Sequence, residues 1–482
     1  MKRPSARSLA VLLISVAILM PCFWQPRIQA GDFSSHVYNA WLAKEAAASR
    51  IAGVYVVRQY TNILFDLLLS WLIGVLGWDA GQKAAASIVV LLFFWGAFAC
   101  VSKVSGRLAW GWTPVLAILT YGWVFHVGFC NFYLSLGLSL WALVLLWGRS
   151  SATEFAGGVV LLMAASTAHM LPVAWAAGAA IYAQVVRRLR PRGRIAIAAA
   201  GIGSIIVLRA VIVSRFAYLW FPGQILEISG VDQAWVYGTK YTVVSLVMLL
   251  IFILCFALRL HGAGLKTAAL DPIFHVYVFT AAGVALIPMR IEIPGYAHAL
   301  VYISERMSLP AAVALCAFLA ATRLPRAVHV VSGVLAALYF SFLFADTRVL
   351  NAMEKEVGQA VTQMSPRQRV VIGFSEGASR IDPVIHMIDR ACVGRCFSYA
   401  NYEPSTTQFR VRAAPGNGVV VTNYSDSFAL QHRTYSVRAS DLPLYQVRFR
   451  DERSLSMHAK SLKSGEIVTR IPRQVLPSLW GR

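Results

Sequence analysis

The sequence predicts a mainly α-helical, polytopic membrane protein: about 11 apolar helical spans, followed by a small extracytoplasmic α/β domain. Three observations predict it. Hydrophobic residues make up 58% and charged residues 14% of the 482 positions, and mean hydropathy is +0.61, whereas soluble domains run at roughly 45–50% apolar and roughly 25% charged. Apolar runs approaching the about 20 residues that cross a hydrocarbon layer recur from residue 8 to about 345. From there to residue 482 the chain is ordinary and polar. The expected division is therefore a membrane domain over 1–345, with a first external loop over 24–82, and a soluble domain over 346–482.

The first span is Leu9 to Phe23, preceded by Lys2, Arg3 and Arg7. Basic residues stay on the cytoplasmic side, so the N-terminus is expected inside and the following loop outside, with the span as an uncleaved anchor. Pro21, Trp24 and Pro26 fit a signal-peptide cleavage region poorly. Further spans are expected over 84–100, 108–125, 128–147, 155–168, 172–186, 195–213, 241–258, 272–288, 307–321 and 328–344. This register puts Lys103, Arg107, Arg149, the cluster Arg187 to Arg194, Arg259, Lys266, Arg323 and Arg326 inside. Residues 155–186 also fit a single helix, in which case 60–78 becomes a span. That rival exposes Lys103, Arg107 and Arg149 outside, so 60–78 is expected to be an interfacial helix.

The net charge of +22 does not point to nucleic acid, because the arginines and lysines cluster in short loops between apolar runs. The tail holds 19 basic and 12 acidic residues, an excess of 7 that suits an acidic membrane surface. A membrane location and membrane lipid as a partner follow.

In the first external loop, Asp32, His36 and Asn39 are spaced i, i+4, i+7 and share one helical face. Asp32 reads equally as an N-cap, whose carboxylate accepts first-turn amides, and as a catalytic acid. The charge map favours the second reading. Of ten acidic residues in the membrane region, eight (Asp32, Glu45, Asp66, Asp79, Glu227, Asp232, Glu292 and Glu305) fall on the external side. His126, with Asn131 in the hairpin after it, and His169 and His298 lie at external turns. With His36 they are candidates to position hydroxyls or phosphates, or to bind a divalent metal with Asp32. Yet no paired spacing forms a metal motif. Arg306, beside Glu305, sits at the mouth of a late span, where an arginine is costly unless paired or used. Its planar fork suits phosphate, and Arg58 is a second candidate. The loop 215–240 reads as an aromatic interface belt or a mobile lid.

In the tail, 370–374, 419–422 and 445–449 read as strands, and 350–364 and 383–392 as helices. His386 and Asp389 read as a solvated i, i+3 pair, and 402–407 as a turn. Cys392 and Cys396 are spaced to close a small disulfide loop in an oxidising compartment. Cys22, Cys100, Cys130, Cys255 and Cys316 read as small apolar residues.

The N-terminal anchor followed by Gly31-Asp32, the paired interfacial helices, the later hairpins with Gly128 to Tyr133 and His169, and the terminal soluble domain resemble the C class of glycosyltransferases (GT-C). These are multi-span enzymes of the cell envelope that use polyprenyl-phosphate-linked sugars. The resemblance covers about residues 1–345. It implies that Asp32 acts as catalytic base, that a polyprenyl-phosphate sugar is the donor and that an unidentified acceptor receives the sugar outside the inner membrane. The chain departs from the class pattern where Phe33 follows Asp32 in place of a second acid, leaving Glu45 or Asp66 to substitute, and where the proline-rich stretch before the second interfacial helix is missing. The alternative class is a transporter, flippase or non-catalytic assembly protein, although no two-fold repeat is evident.

Overall fold

The computed structural model describes residues 5–148, 151–296, 299–373, 380–406, 408–432, 434–450 and 455–468. The chain is mainly helical, with 18 α-helices among the described residues. Five are long and apolar enough to cross a membrane: Ala6–Phe23, Trp78–Ser105, Pro191–Arg215, Lys240–Ala263 and Arg326–Thr362. Shorter apolar helices are Leu64–Leu76, Cys130–Leu146, Ala152–Ala168 and Pro272–Leu286.

The chain divides into two compact units. The first comprises Met1–Met20, Ala86–Phe125 and Asn131–Phe342. Here the apolar run 108–125 is no single helix. It breaks into a 3₁₀ turn, Trp110–Trp112, and the helices Thr113–Thr120 and Trp123–Val127. Pro114 lacks the amide a continuous helix would need from it, and Gly122 packs against Gln233 where a Cβ would sit 3.1 Å from its neighbours. Residues 152–187 form two helices, Ala152–Ala168 and Met170–Arg187, parted at His169, whose backbone is extended. The arginine cluster straddles the turn before Pro191–Arg215. Within 215–240, strand Ala217–Leu219 pairs antiparallel with Arg290–Glu292, and Gln224, Glu227, Asp232 and Gln233 are buried. The part over 227–237 is therefore largely packed, while Tyr218, Phe221 and Trp235 remain exposed.

The second unit comprises Pro21–Ala85, His126–Cys130 and Leu343–Arg482. The apolar stretch ending near 344 and the expected helix 350–364 are one helix, Arg326–Thr362, because the polar residues between them interrupt hydropathy without interrupting helix formers. A mixed four-stranded sheet has the order Phe397–Ser398, Arg369–Ile372, Leu444–Phe449, Met457–Ser461. Its first three strands are parallel and the last antiparallel. Behind it lies a core of Val371, Tyr399, Val421, Leu430, Leu444 and Leu462. Val54–Val56 pairs antiparallel with Val411–Ala413.

Three expectations for the tail are corrected. Residues 419–422 form no strand, because the Asn417 carboxamide oxygen takes the Val419 and Val420 amides, at 2.9 and 2.8 Å, that a ladder would need. The helix expected over 383–392 shortens to Met387–Ala391, since Asp382 turns the chain by accepting from Val384 N–H. The ordinary turn expected from residue 402 is a short helix, Tyr402–Thr406, with Glu403 to Thr406 buried. Phe374 and Thr407, at the ends of two expected elements, lie outside the described residues.

Candidate functional site

Everything that positions Asp32 lies in the second unit. The chain turns sharply at Ala30 and Gly31 before helix Phe33–Ala47. Segment 126–130 crosses this turn at backbone distance: Asp32 N–H donates to the Val127 carbonyl at 2.8 Å. Two glycines permit the crossing. A Cβ on Gly31 would lie 2.4 Å from Val127 O, and one on Gly128, whose φ is +91°, would lie 2.6 Å from Asp32 N. His126 clasps the same turn through Nδ1–H, which donates to the Gln29 carbonyl at 3.0 Å. Burial lowers the His126 pKa to about 4, the Gln29 bond opposing it, so the ring is neutral.

Asp32 occupies the N-cap position, yet its side chain makes no capping bond. Its Oδ1 instead faces His386 Nε2 at 2.8 Å, and His386 Nδ1 faces Asp389 Oδ2 at 2.7 Å. A carboxylate can only accept, so both ring nitrogens carry protons and the imidazole is charged. Burial works against that charge, but the hydrogen bonds and charges of Asp32 and Asp389 outweigh it and raise the His386 pKa to about 10. The far oxygen of Asp389 accepts from the Ser398 hydroxyl, and Ser398 N–H donates to the Tyr38 hydroxyl oxygen at 3.1 Å. Burial pushes the Tyr38 phenol up. The relay is graded in exposure: side chains are 3% exposed at Asp389, 8% at His386 and 19% at Asp32. Asp32 is its open end.

A second pair stands beside it. His36 Nδ1 lies 2.7 Å from Asp66 Oδ1, on helix Leu64–Leu76. Burial again opposes the charge, while Asp66 above all raises His36 to about 9. Glu403 senses both pairs. Burial, with the charges of Asp66, Asp32 and Asp389, raises its pKa well above the ordinary carboxylate range against the opposing pull of His36. Asn39 ties helix Phe33–Ala47 to Asn401, accepting from its Nδ2 at 2.7 Å, and donates within its own helix to Ser35 Oγ at 3.1 Å.

A buried charge clamp fixes the relay's short helix, Met387–Ala391. Arg390 binds Glu354 with both Nε and Nη2, at 2.6 and 2.7 Å, and also reaches the Ile28 carbonyl at 3.0 Å. Glu354 further accepts from Arg27 and Gln29. Arginine supplies this geometry through its planar fork. At the end of that helix, Cys392 and Cys396 form a disulfide.

The structure thus gathers Asp32, His36 and His126 in one unit. Arg58 follows strand Val54–Val56 in the same unit and is exposed. Asn131, His169, Glu305 and Arg306 belong to the first unit. There Arg306 Nη1 lies 3.4 Å from His169 Nε2, and burial, aided by that charge, lowers His169 to about 3. Glu305 is buried and accepts from Ser304 Oγ at 2.8 Å, and Asn131 is buried on Cys130–Leu146. His298 lies outside the described residues. Of the two acids expected to substitute beside Asp32, Asp66 joins the cluster, whereas Glu45 pairs with Arg50 at 2.7 Å.

His386 and Asp389 are not the solvated pair expected from their spacing. Both are buried, because the helix carrying them packs on Phe33–Ala47. Glu403, Ser398 and Tyr38 gave no local signal, and the i, i+3 spacing of His386 and Asp389 was the one available hint. Among the described residues, no group of three or more His, Cys, Asp or Glu is arranged to hold a metal ion. No family model, curated protein or solved structure matches this chain.

Proposed function

We propose that the protein is a multi-pass inner-membrane glycosyltransferase of about 11 spans that moves a sugar from a polyprenyl-phosphate carrier to an acceptor on the extracytoplasmic side. In this reading the N-terminus is cytoplasmic and the tail extracytoplasmic. The observation that carries the proposal is the Asp32 carboxylate: an N-cap that does not cap, held instead by a buried imidazolium at the open end of a relay. A capping aspartate would accept from the adjacent helix amides instead.

Asp32 acts as general base. The acceptor hydroxyl gives its proton to the Asp32 carboxylate as its oxygen attacks the anomeric carbon, the bond from that carbon to the phosphate oxygen breaks, and polyprenyl phosphate leaves with the electron pair. His386, kept protonated by Asp389, holds one Asp32 oxygen in place and so aims the carboxylate. Arg58, exposed in the same unit as Asp32, is the candidate to meet charge growing on the departing phosphate.

The test is to incubate the purified full chain with a panel of radiolabelled polyprenyl-phosphate sugars and a membrane extract as acceptor. Conversion of donor to polyprenyl phosphate plus labelled product, lost in Asp32→Asn, supports the proposal. Donor moved across a vesicle bilayer without cleavage assigns the protein to the transporters.

A further inference from the structure

The second unit contains another site. A cleft of about 420 Å³ is lined by five cations, Arg27, Lys44, Arg50, Lys83 and Arg390, against two acids, Glu45 and Asp79. Its size falls within the roughly 300–1,000 Å³ of small-ligand sites. On helix Phe33–Ala47 its contributors Val37, Trp41, Lys44 and Glu45 are spaced i, i+4, i+7, i+8 and form one face. Asp32, His36 and Asn39 lie about 160° away around the same axis. The cleft therefore backs onto the acidic cluster without being part of it.

Its charges are partly committed. Glu45 is bound by Arg50 through two bonds, at 2.8 and 2.7 Å, and Arg390 is held by Glu354 beneath the wall. Lys83 donates one hydrogen to the Gln25 carbonyl at 3.2 Å, which leaves two further ammonium hydrogens. Lys44 is exposed, and Arg27, half-exposed, donates to Glu354 at 3.1 Å. Two indoles, Trp41 and Trp78, also line it. Trp41 is fixed by Tyr38 and Phe397, at centroid separations of 5.4 and 6.3 Å.

We propose that this cleft binds the phosphate of an anionic headgroup, at a site separate from the Asp32 cluster. Clustered arginine and lysine with interfacial tryptophan are the chemistry that recognises a phosphate at a membrane surface. The neighbouring helix Leu64–Leu76 points to lipid as the source. It ends just before Trp78 and exposes Leu67, Trp71 and Val75 at i, i+4, i+8, the apolar stripe of a helix lying in an interface.

The test offers equal amounts of phosphatidylglycerol and phosphatidylcholine to the detergent-purified full chain and counts retained lipid by native mass spectrometry. Phosphatidylglycerol is expected to be retained, and Lys44→Glu combined with Lys83→Glu to weaken it by about tenfold or more, from roughly 1 kcal/mol per surface cation. Lys266→Glu, which touches no part of the cleft, is expected to leave retention unchanged, and Lys44→Gln alone to give an intermediate loss. In a second arm, displacement by excess inorganic phosphate identifies the phosphate group as sufficient, whereas resistance to it identifies the intact lipid. Equal retention of the two lipids, or equal losses in the double variant and Lys266→Glu, overturns the proposal.

Discussion

Replacing His386 with glutamine removes the positive charge between Asp32 and Asp389 while keeping a side chain of similar length. The two carboxylates then face each other across about 7 Å, the span of two hydrogen bonds and a ring, where an effective dielectric near 20 gives about 2 kcal/mol of repulsion. The native imidazole also binds its proton far more tightly than an unfolded histidine, with a pKa of about 10 against 6.5. At about 1.36 kcal/mol for each unit, that difference contributes at most roughly 5 kcal/mol. Because the folded pKa is the raised one, this stability is fully present below pH 6.5 and is lost as pH rises through about 10. The assay is the apparent Tm of the full chain in detergent, native against His386→Gln, from pH 6 to pH 10. A gap of several degrees is expected at pH 6, at roughly 2–4 °C per kcal/mol for a domain of this size, narrowing steadily toward pH 10. His36 titrates in both proteins and cancels. A gap that is constant with pH, or that widens as pH rises, refutes the buried imidazolium.

Asp389→Asn removes one of the two acids that keep His386 charged; transfer is expected to fall about tenfold to a hundredfold, with the alkaline limb of the pH–rate profile moving to lower pH, and an unmoved limb would leave Asp389 a purely packing residue. Gly128→Ala forces a Cβ into the Asp32 and Phe33 amides in left-handed backbone, so both Tm and transfer are expected to drop, measured on the same preparation. Cys392→Ser opens the loop behind the relay helix; a five-residue loop corresponds to about 2 kcal/mol in the chain-entropy account, and a Tm matching that of the reduced native protein is the expected result.

The helical class was legible because long apolar runs recur along the chain, and five of the helices they form are long and apolar enough to cross a membrane. Helix ends were less so. Residues 108–125 are apolar throughout, yet Pro114 and Gly122 break them, and the polar residues after Phe344 end an apolar run without ending the helix. Hydropathy reports what surrounds a helix, whereas backbone hydrogen bonding decides where it stops. The candidate site divides in the same way. The shared face of Asp32 and His36 is a local property, and spacing revealed it. The partner of Asp32 lies more than 350 positions away, and nothing in the Pro383 to Cys392 segment encodes that His386 is buried against Phe33–Ala47. The acid missing beside Asp32 is supplied in space by Asp66, Asp389 and Glu403, whereas the next position in sequence holds Phe33.

Whether the Asp32 carboxylate carries sugar transfer is tested most directly by kcat/KM for Asp32→Asn, on protein with native Tm and an intact Cys392–Cys396 bond. Loss of a positioned general base predicts a fall of about a hundredfold or more, with donor binding retained. Transfer at the native rate from a folded Asp32→Asn protein would contradict the account.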